Sequence, residues 1–465
     1  MQLSSCIYRG LIKSCAAVML CAGVGASPAQ EGLPQGIIVK YRDPSPSKAA
    51  DARSRQVMAD TVARYGTRVT EIRRMTNGAQ VLSIDSQLAD SQIKQLLADL
   101  SSDPSVEFAE EDKILQVAFA PNDPRYNEQW HYFEAAGGIN LPAAWDLATG
   151  KGVTVAVVDT GYRPHADLVE NIVGGYDLVT NLVRANDGDA RDSSALDPGN
   201  WLGDDCRGVP LRANARALTS DWHGTHTAGT VAARTNNGVG VAGVAFDAKV
   251  VPVRALGRCG GALSDIADAI AWAAGAPVTG VPVNPLPARV VNLSLGIDGE
   301  CPNTMQQAID AARSRGVTVV VAAGNYEIDV RDFFPSNCRG VIVVAAVGQS
   351  GGRASYSNFG DLVDIAAPGG DFPAIGFPGT ILSTSNTGRR EPGDDMYLNM
   401  EGTSMAAPHV TGVVALMYSV KPSLTPDQVE SVLKQTARPF VRTCNQCGAG
   451  VVDAAAAVAA AKALQ

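Results

Sequence analysis

The sequence predicts an α/β fold: a doubly wound, mostly parallel sheet with flanking helices, preceded by a smaller α/β unit. Two observations carry this expectation. From residue 153 onward, short apolar runs rich in Val and Ala alternate with stretches of helical periodicity, and such runs suit strands covered on both faces. Composition agrees, since 46% hydrophobic residues, 18% charged residues and 47 glycines describe a globular chain with many tight turns. A length of 465 residues allows two or three domains and a large buried core.

Taken in order, residues 1–29 read as a secretory signal. Arg9 and Lys13 form a cationic start, Ala16 to Ala26 is apolar, and small residues follow up to Ala29. The apolar part is too short to span a bilayer, and Leu20 before Cys21 is too large for a lipidation site. The mature protein is therefore expected outside the cell and without a membrane anchor. Residues 30–119 read as a small α/β, ferredoxin-like unit. Ile37–Tyr41, Gln80–Ile84 and Val106–Glu110 are its strand candidates. A charged helical stretch runs through Val62, and Ile93, Leu96, Leu97 and Leu100 lie on one face of a second helix. The extended, Pro-punctuated run Gln116–Pro124 is the expected boundary, leaving 120–465 as the main domain. There the strand candidates are Val153–Val158, Lys249–Val253, Val290–Ser294, Val317–Val321 and Val341–Ala345. Helices are expected over Ala262–Ala274 and Thr304–Arg315.

A net charge of −9 leaves no basic stripe, which excludes nucleic acid as the main partner. Of nine cysteines, Cys6, Cys15 and Cys21 fall in the signal. The remaining even number, in an exported chain, predicts disulfides. Cys444 and Cys447 form a C-x-x-C with no second pair and no nearby histidine, which favours a local disulfide over a metal site.

Three motifs carry chemistry. Asp159-Thr160-Gly161 directly follows an apolar strand, on the edge where open α/β sheets place their sites. An aspartic-protease reading would need a second such aspartate, and the sequence holds no second copy. His223-Gly224-Thr225-His226 opens a helix, and a histidine suits a base that later acts as an acid. No H-E-x-x-H pattern supports zinc, and His131, His165, His226 and His409 read as structural. Gly402-Thr403-Ser404-Met405-Ala406-Ala407-Pro408-His409 sets a serine at the start of an apolar helix, where free amides favour developing negative charge.

In the order Asp, His, Ser, these motifs resemble the subtilisin family of serine proteases, over about Gln129 to Gly450. Carried over by position, the resemblance makes Ser404 the nucleophile, His223 its general base and Asp159 the residue that orients the imidazole. Ala322-Ala323-Gly324-Asn325 resembles the family's oxyanion segment, with Asn325 as donor. Ser294-Leu295-Gly296 and Gly260-Gly261 become the edges that pair with a peptide substrate, which implies broad specificity. Gln129, Asp167, Thr235, Asn237, Val239 and Val241 match a structural calcium site. A loop carrying Asp187, Asp189, Asp192 and Asp197 offers either a second ion site or a solvated acidic surface. Residues 36–113 resemble the family's propeptide, an intramolecular inhibitor removed by a cut near Phe119. Disulfides Cys206–Cys259 and Cys301–Cys338 follow from the resemblance, and Cys444–Cys447 from nearness. At the residue preceding the scissile bond, Glu327, Asp329 and Asp332 would favour a basic side chain. The junction's Ala118, Phe119 and Ala120 point instead to a small or aromatic one, and the junction is preferred. The expectation is a secreted, monomeric endopeptidase of proteins. A catalytically silent binding protein on the same fold is the alternative.

Overall fold

The computed structural model describes residues 35–42, 56, 58–60, 62–85, 88–113, 119–203, 206 and 219–464; the signal segment, and Gln116 to Ala118 of the junction, lie outside them. The chain divides into two compact units, Met1–Val117 and Ala118–Gln465.

In the first unit, β1 (Gln35–Tyr41), β2 (Val69–Arg74), β3 (Gln80–Ile84) and β4 (Val106–Glu111) form one antiparallel sheet in the order β2-β3-β1-β4. Helix α1 (Asp90–Ser101) packs against β4. Its Ile93, Leu96 and Leu100 are buried with Ile37, Val39, Leu82 and Ile84, as their spacing predicts. This is a ferredoxin-like strand order, with β2 added to the three strands that the sequence indicates. β2 has the buried pattern of an edge strand, mostly exposed, which is why its sequence carries no apolar signal.

The second unit is built on seven parallel strands: β5 (Thr154–Asp159), β6 (Tyr176–Asp177), β7 (Lys249–Arg254), β8 (Val290–Leu293), β9 (Thr318–Ala322), β10 (Ile342–Val347) and β11 (Ile365–Pro368). Their order is β11-β10-β9-β8-β5-β7-β6. Successive side chains alternate across the sheet. Val155 and Val157 enter one apolar cluster and Ala156 and Val158 the other, and β9 divides the same way. The first cluster lies under α2 (His223–Ala232), α5 (Thr403–Val420) and α7 (Ala454–Ala463). The second lies under α3 (Leu263–Ala273) and α4 (Asn303–Ser314). Strands covered on both faces need no alternating polar residue, so their sequences read as continuous apolar runs. A hairpin of β12 (Ile381–Asn386) and β13 (Asp395–Met400) packs on α2, and α6 (Pro426–Thr436) lies between α5 and α7 in sequence.

All three disulfides join the expected cysteines: Cys206–Cys259, Cys301–Cys338 and Cys444–Cys447. Helix α5 is buried along nearly its whole length and is apolar on every side, as a central helix must be. At Gly412 it approaches the chain so closely that a Cβ would lie 2.5 Å from the Cβ of Val244. Gly412→Ala should therefore overpack this contact and lower stability by about 1–3 kcal/mol. Thermal unfolding of the variant beside the wild type measures the loss.

Candidate active site

Strand β5, inside the sheet between β8 and β7, ends at Asp159, paired in register with Arg254 of β7 at the carboxyl edge of the sheet. Asp159 is fully buried, and a buried carboxylate must be hydrogen-bonded. The Thr160 amide donates to its Oδ1 at 2.7 Å, and Nδ1 of His223 lies 2.8 and 2.9 Å from its two oxygens. Only a protonated Nδ1 fits between two acceptors, so the tautomer is set and Nε2 faces away.

His223 begins α2 after Trp222, which takes φ 53°. That strain is held by packing, since the Trp222 ring is buried and its indole N–H donates to Gly388 at 2.7 Å. Gly224 follows because a Cβ there would fall 2.1 Å from the Gly161 carbonyl. The Asp159 loop and the His223 helix can only meet across a glycine.

Ser404 lies in the first turn of α5, which packs on α2. Its hydroxyl donates to the Ser294 carbonyl at 3.2 Å. Pro408, four residues on, has no N–H and cannot take the Ser404 carbonyl as its helical partner. The Ser294 hydroxyl donates to that carbonyl instead, at 2.8 Å. Asn292 supports Ser294 at 2.9 Å, and Thr411 of α5 donates to Asn292 at 2.9 Å. A break in the helix thus becomes the joint between α5 and the end of β8.

Asn325 follows β9 and is exposed. Its Oδ1 accepts the Thr403 amide at 2.8 Å and the Thr403 hydroxyl at 2.7 Å. A backbone N–H can face only the oxygen of an amide, so the Asn325 NH₂ group points away from Thr403. Thr403 is a residue that the sequence reading passed over, although it lies beside the serine within the same motif. Ser294, Leu295 and Gly296 continue β8 past the sheet edge, with Gly296 exposed; Gly260, also exposed, and Gly261 sit between β7 and α3.

Burial alone would lower the His223 pKa, but the charges of Asp159, Asp221 and Asp197 outweigh it and raise it to about 9. The other four histidines hold structure. His131 Nδ1 meets His409 Nε2 at 2.7 Å, and His409 Nδ1 donates to Met405 at 2.7 Å. His226 reaches the Ile381 and Leu398 carbonyls, and His165 that of Met396.

The expected calcium ligands separate. Asp167 is buried and accepts from Val241 N–H at 2.8 Å and the Asn237 amide at 2.8 Å. Val239 N–H caps the Asn237 oxygen, and the Thr235 hydroxyl accepts from Gly243. Gln129 belongs elsewhere, because both its amide atoms engage the Ala242 backbone, at 2.9 and 2.7 Å. The loop 235–241 is met instead by Asp123, a 4% exposed carboxylate that accepts from Asn236 N–H at 2.9 Å. Burial pushes the Asp167 pKa up to about 7, and the charge of Asp123 adds to the rise. Burial raises Asp123 as well. Two buried, mutually repelling carboxylates beside a loop of carbonyls suit a hard cation.

The second acidic cluster is differently composed. Asp177, Asp187 and Asp192 converge, but the fully buried Arg254 donates to Asp177 and, at 2.6 Å, to Asp187. A guanidinium thus offsets part of the negative charge of this group. Asp197 lies apart, accepting from Gly199 N–H at 2.8 Å. Of the acids after Asn325, Glu327 pairs with Arg353 at 3.3 Å and Asp329 caps Arg331 N–H at 2.9 Å.

The sequence profile of the subtilase family, peptidase S8, matches residues 150–451. The chain belongs to this family. It is 48% identical over 439 residues to an extracellular protease of Xanthomonas campestris, covering 92% of this chain and 73% of that one. It is 43% identical to an extracellular basic protease of Dichelobacter nodosus, covering 90% of this chain and 70% of that one. Among solved structures, a protease from Pseudoalteromonas arctica is similar at 57% identity with a TM-score of 0.71, over 74% of this chain and all of that one. This subtilase is accordingly a serine protease, and its substrates are proteins or peptides.

The electrostatics are checkable directly. In histidine-labelled protein followed by NMR, the His223 imidazole should titrate well above 6.5, near 9. Asp221→Asn removes one of the charges that raise it and should move the midpoint down by about half a unit to one unit.

Proposed function

We propose that this chain is the precursor of a secreted endopeptidase in which Asp159, His223 and Ser404 act as a catalytic triad and Asn325 as an oxyanion donor. The observation that carries the reading is the His223 Nδ1 bridge to both Asp159 oxygens, which makes Nε2 the free base of the neutral imidazole; with the pKa raised to about 9, that neutral form gains population as the pH rises toward 9. In the reacting enzyme the Ser404 hydroxyl leaves the Ser294 carbonyl and hydrogen-bonds to that nitrogen. As Oγ bonds to the scissile carbonyl carbon, its proton passes to Nε2 and the carbonyl π electrons move to oxygen. The Asn325 NH₂ and the Ser404 amide, at the start of α5, receive the oxyanion. Collapse breaks the C–N bond, and His223 returns the proton to the leaving amine. Water then repeats the sequence on the acyl-enzyme and frees Ser404. Asp159 stays a carboxylate throughout and stabilises the transient imidazolium.

Substrate backbone pairs with Ser294–Gly296 and with Gly260–Gly261, so recognition outside the reacting residue tolerates many side chains. Residues 1–29 serve export, in keeping with the extracellular naming of both relatives. Residues 30–119 serve as the propeptide. Calcium belongs with Asp123, Asp167 and Asn237 and with the carbonyls of Thr235, Val239 and Val241. When bound, it neutralises the two buried acids and rigidifies the loop that follows α2; it takes no part in the bond-breaking steps.

Two experiments test this. Ser404→Ala should keep its prosegment on export, whereas the wild type matures; mass and N-terminal sequencing decide. Asn325→Leu should lose turnover on the scale known for subtilisin itself, about 10²–10³. Separately, chelation should lower the wild-type Tm, and added calcium should restore it by the binding term RT ln(1 + [L]/Kd). Asp123→Asn should shrink that calcium-dependent increment, whereas Gln129→Glu should leave it.

A further inference from the structure

We infer that Phe333 fills the slot that would take the side chain preceding the scissile bond, and so restricts this protease to substrates with Ala, Gly or Ser there. The inference rests on the reading of Ser404 and Asn325 given above. An acyl group on Ser404 with its oxygen at Asn325 must place its side chain between the chain ends that flank these residues. β8 and β9 are adjacent and parallel, with Leu293 opposite Val321. Past the sheet edge they continue as Ser294-Leu295-Gly296 and Ala322-Ala323-Gly324. Ser404 bonds to the first continuation and Asn325 ends the second. The gap between them is the slot, and at Gly296 and Gly324 neither wall adds a side chain to it.

Phe333 closes that gap. A Cβ built on Gly296 would lie 2.4 Å from Cε1 of Phe333, and one built on Gly324 would lie 2.8 Å from the same atom. One ring edge therefore stands in the path of both walls. The ring is only 3% exposed, and Tyr326 covers it with a centroid separation of 5.7 Å. Its backbone is anchored, because Phe333 and Phe334 pair with Asp298 and Ile297. Cys301–Cys338 then ties the flanks of this pair together. A leucine or phenylalanine side chain would have to displace an aromatic ring from a close-packed, cross-linked position. Of the acids beyond Asn325, Glu327 and Asp329 have partners of their own, and Asp332 beside Phe333 is exposed. The Phe119 ring packs on Trp145 and Phe246 within the second unit, so this slot moves the maturation cut from the Phe119–Ala120 bond to the bond after Ala118 or Ala120.

The test uses the matured protein and peptides identical except for Ala, Leu or Phe before the cleaved bond. In the wild type, kcat/KM for Ala should exceed that for Phe by at least about tenfold. Phe333→Ala should lower this ratio by about 10–200-fold, and Phe333→Leu by an intermediate factor, with the Ala peptide still cleaved. Phe333→Leu decides the matter if the alanine variant does not fold, and unchanged Tm certifies its packing. Wild-type cleavage of Phe as fast as Ala overturns the inference. So does a folded Phe333→Leu enzyme with the wild-type ratio. If the wild type cleaves none of the peptides and resists a serine-directed covalent inhibitor, the catalytic reading itself fails.

Discussion

A carboxylate with no exposed surface, placed at the end of an interior strand of the sheet, is the constraint on which the catalytic unit depends. Asp159 costs free energy to bury and is tolerated only because Thr160 and His223 supply hydrogen bonds to it. To bring His223 there, α2 must begin immediately beside the Asp159 loop. That demands Gly224 against the Gly161 carbonyl and a left-handed Trp222 held by its buried ring. The same pairing prepares the imidazole, because its tautomer and its raised proton affinity both come from this carboxylate and its acidic neighbours.

Ser404 is positioned by a second device, which uses a helix defect. Pro408 removes one backbone donor from α5, and the carbonyl it releases belongs to Ser404. Ser294, Asn292 and Thr411 turn that vacancy into a hydrogen-bonded chain between α5 and β8. On the other side, Thr403 holds the Asn325 oxygen and thereby aims its amide. Three strands and two helices thus place four side chains, and none of the four is oriented by its own element alone.

Much of this was legible along the chain. The continuous Val and Ala runs revealed the strands that are covered on both faces, because burial on both sides removes any reason for polar alternation. The edge elements escaped: β2 is mostly exposed and β6 has two residues, so neither carries an apolar run. Motif order pointed to Asp159, His223, Ser404 and Asn325, and the structure gathers them at one sheet edge. The calcium set was less legible, because Gln129 and Asp123 lie close in sequence and both precede the first helix of the unit. Only the fold reveals that Gln129 satisfies Ala242 while Asp123 faces the loop beside Asp167. For the aspartate-rich loop the sequence left an ion site and a solvated surface open, and only the fold adds Arg254, 67 residues from Asp187, to its carboxylates.

By itself, the sequence determined the fold class and the family and singled out the candidate site residues, because each rests on local pattern: periodicity, short motifs and the residues adjoining them. Tertiary structure decided which nitrogen of His223 is free, which end of Asn325 donates, which acid stands by Asp167, and that Phe333 reaches between Gly296 and Gly324. These are relations between segments far apart in the chain. Hydrogen bonds and steric exclusion act over a few ångströms of space, and distance along the sequence does not report that separation.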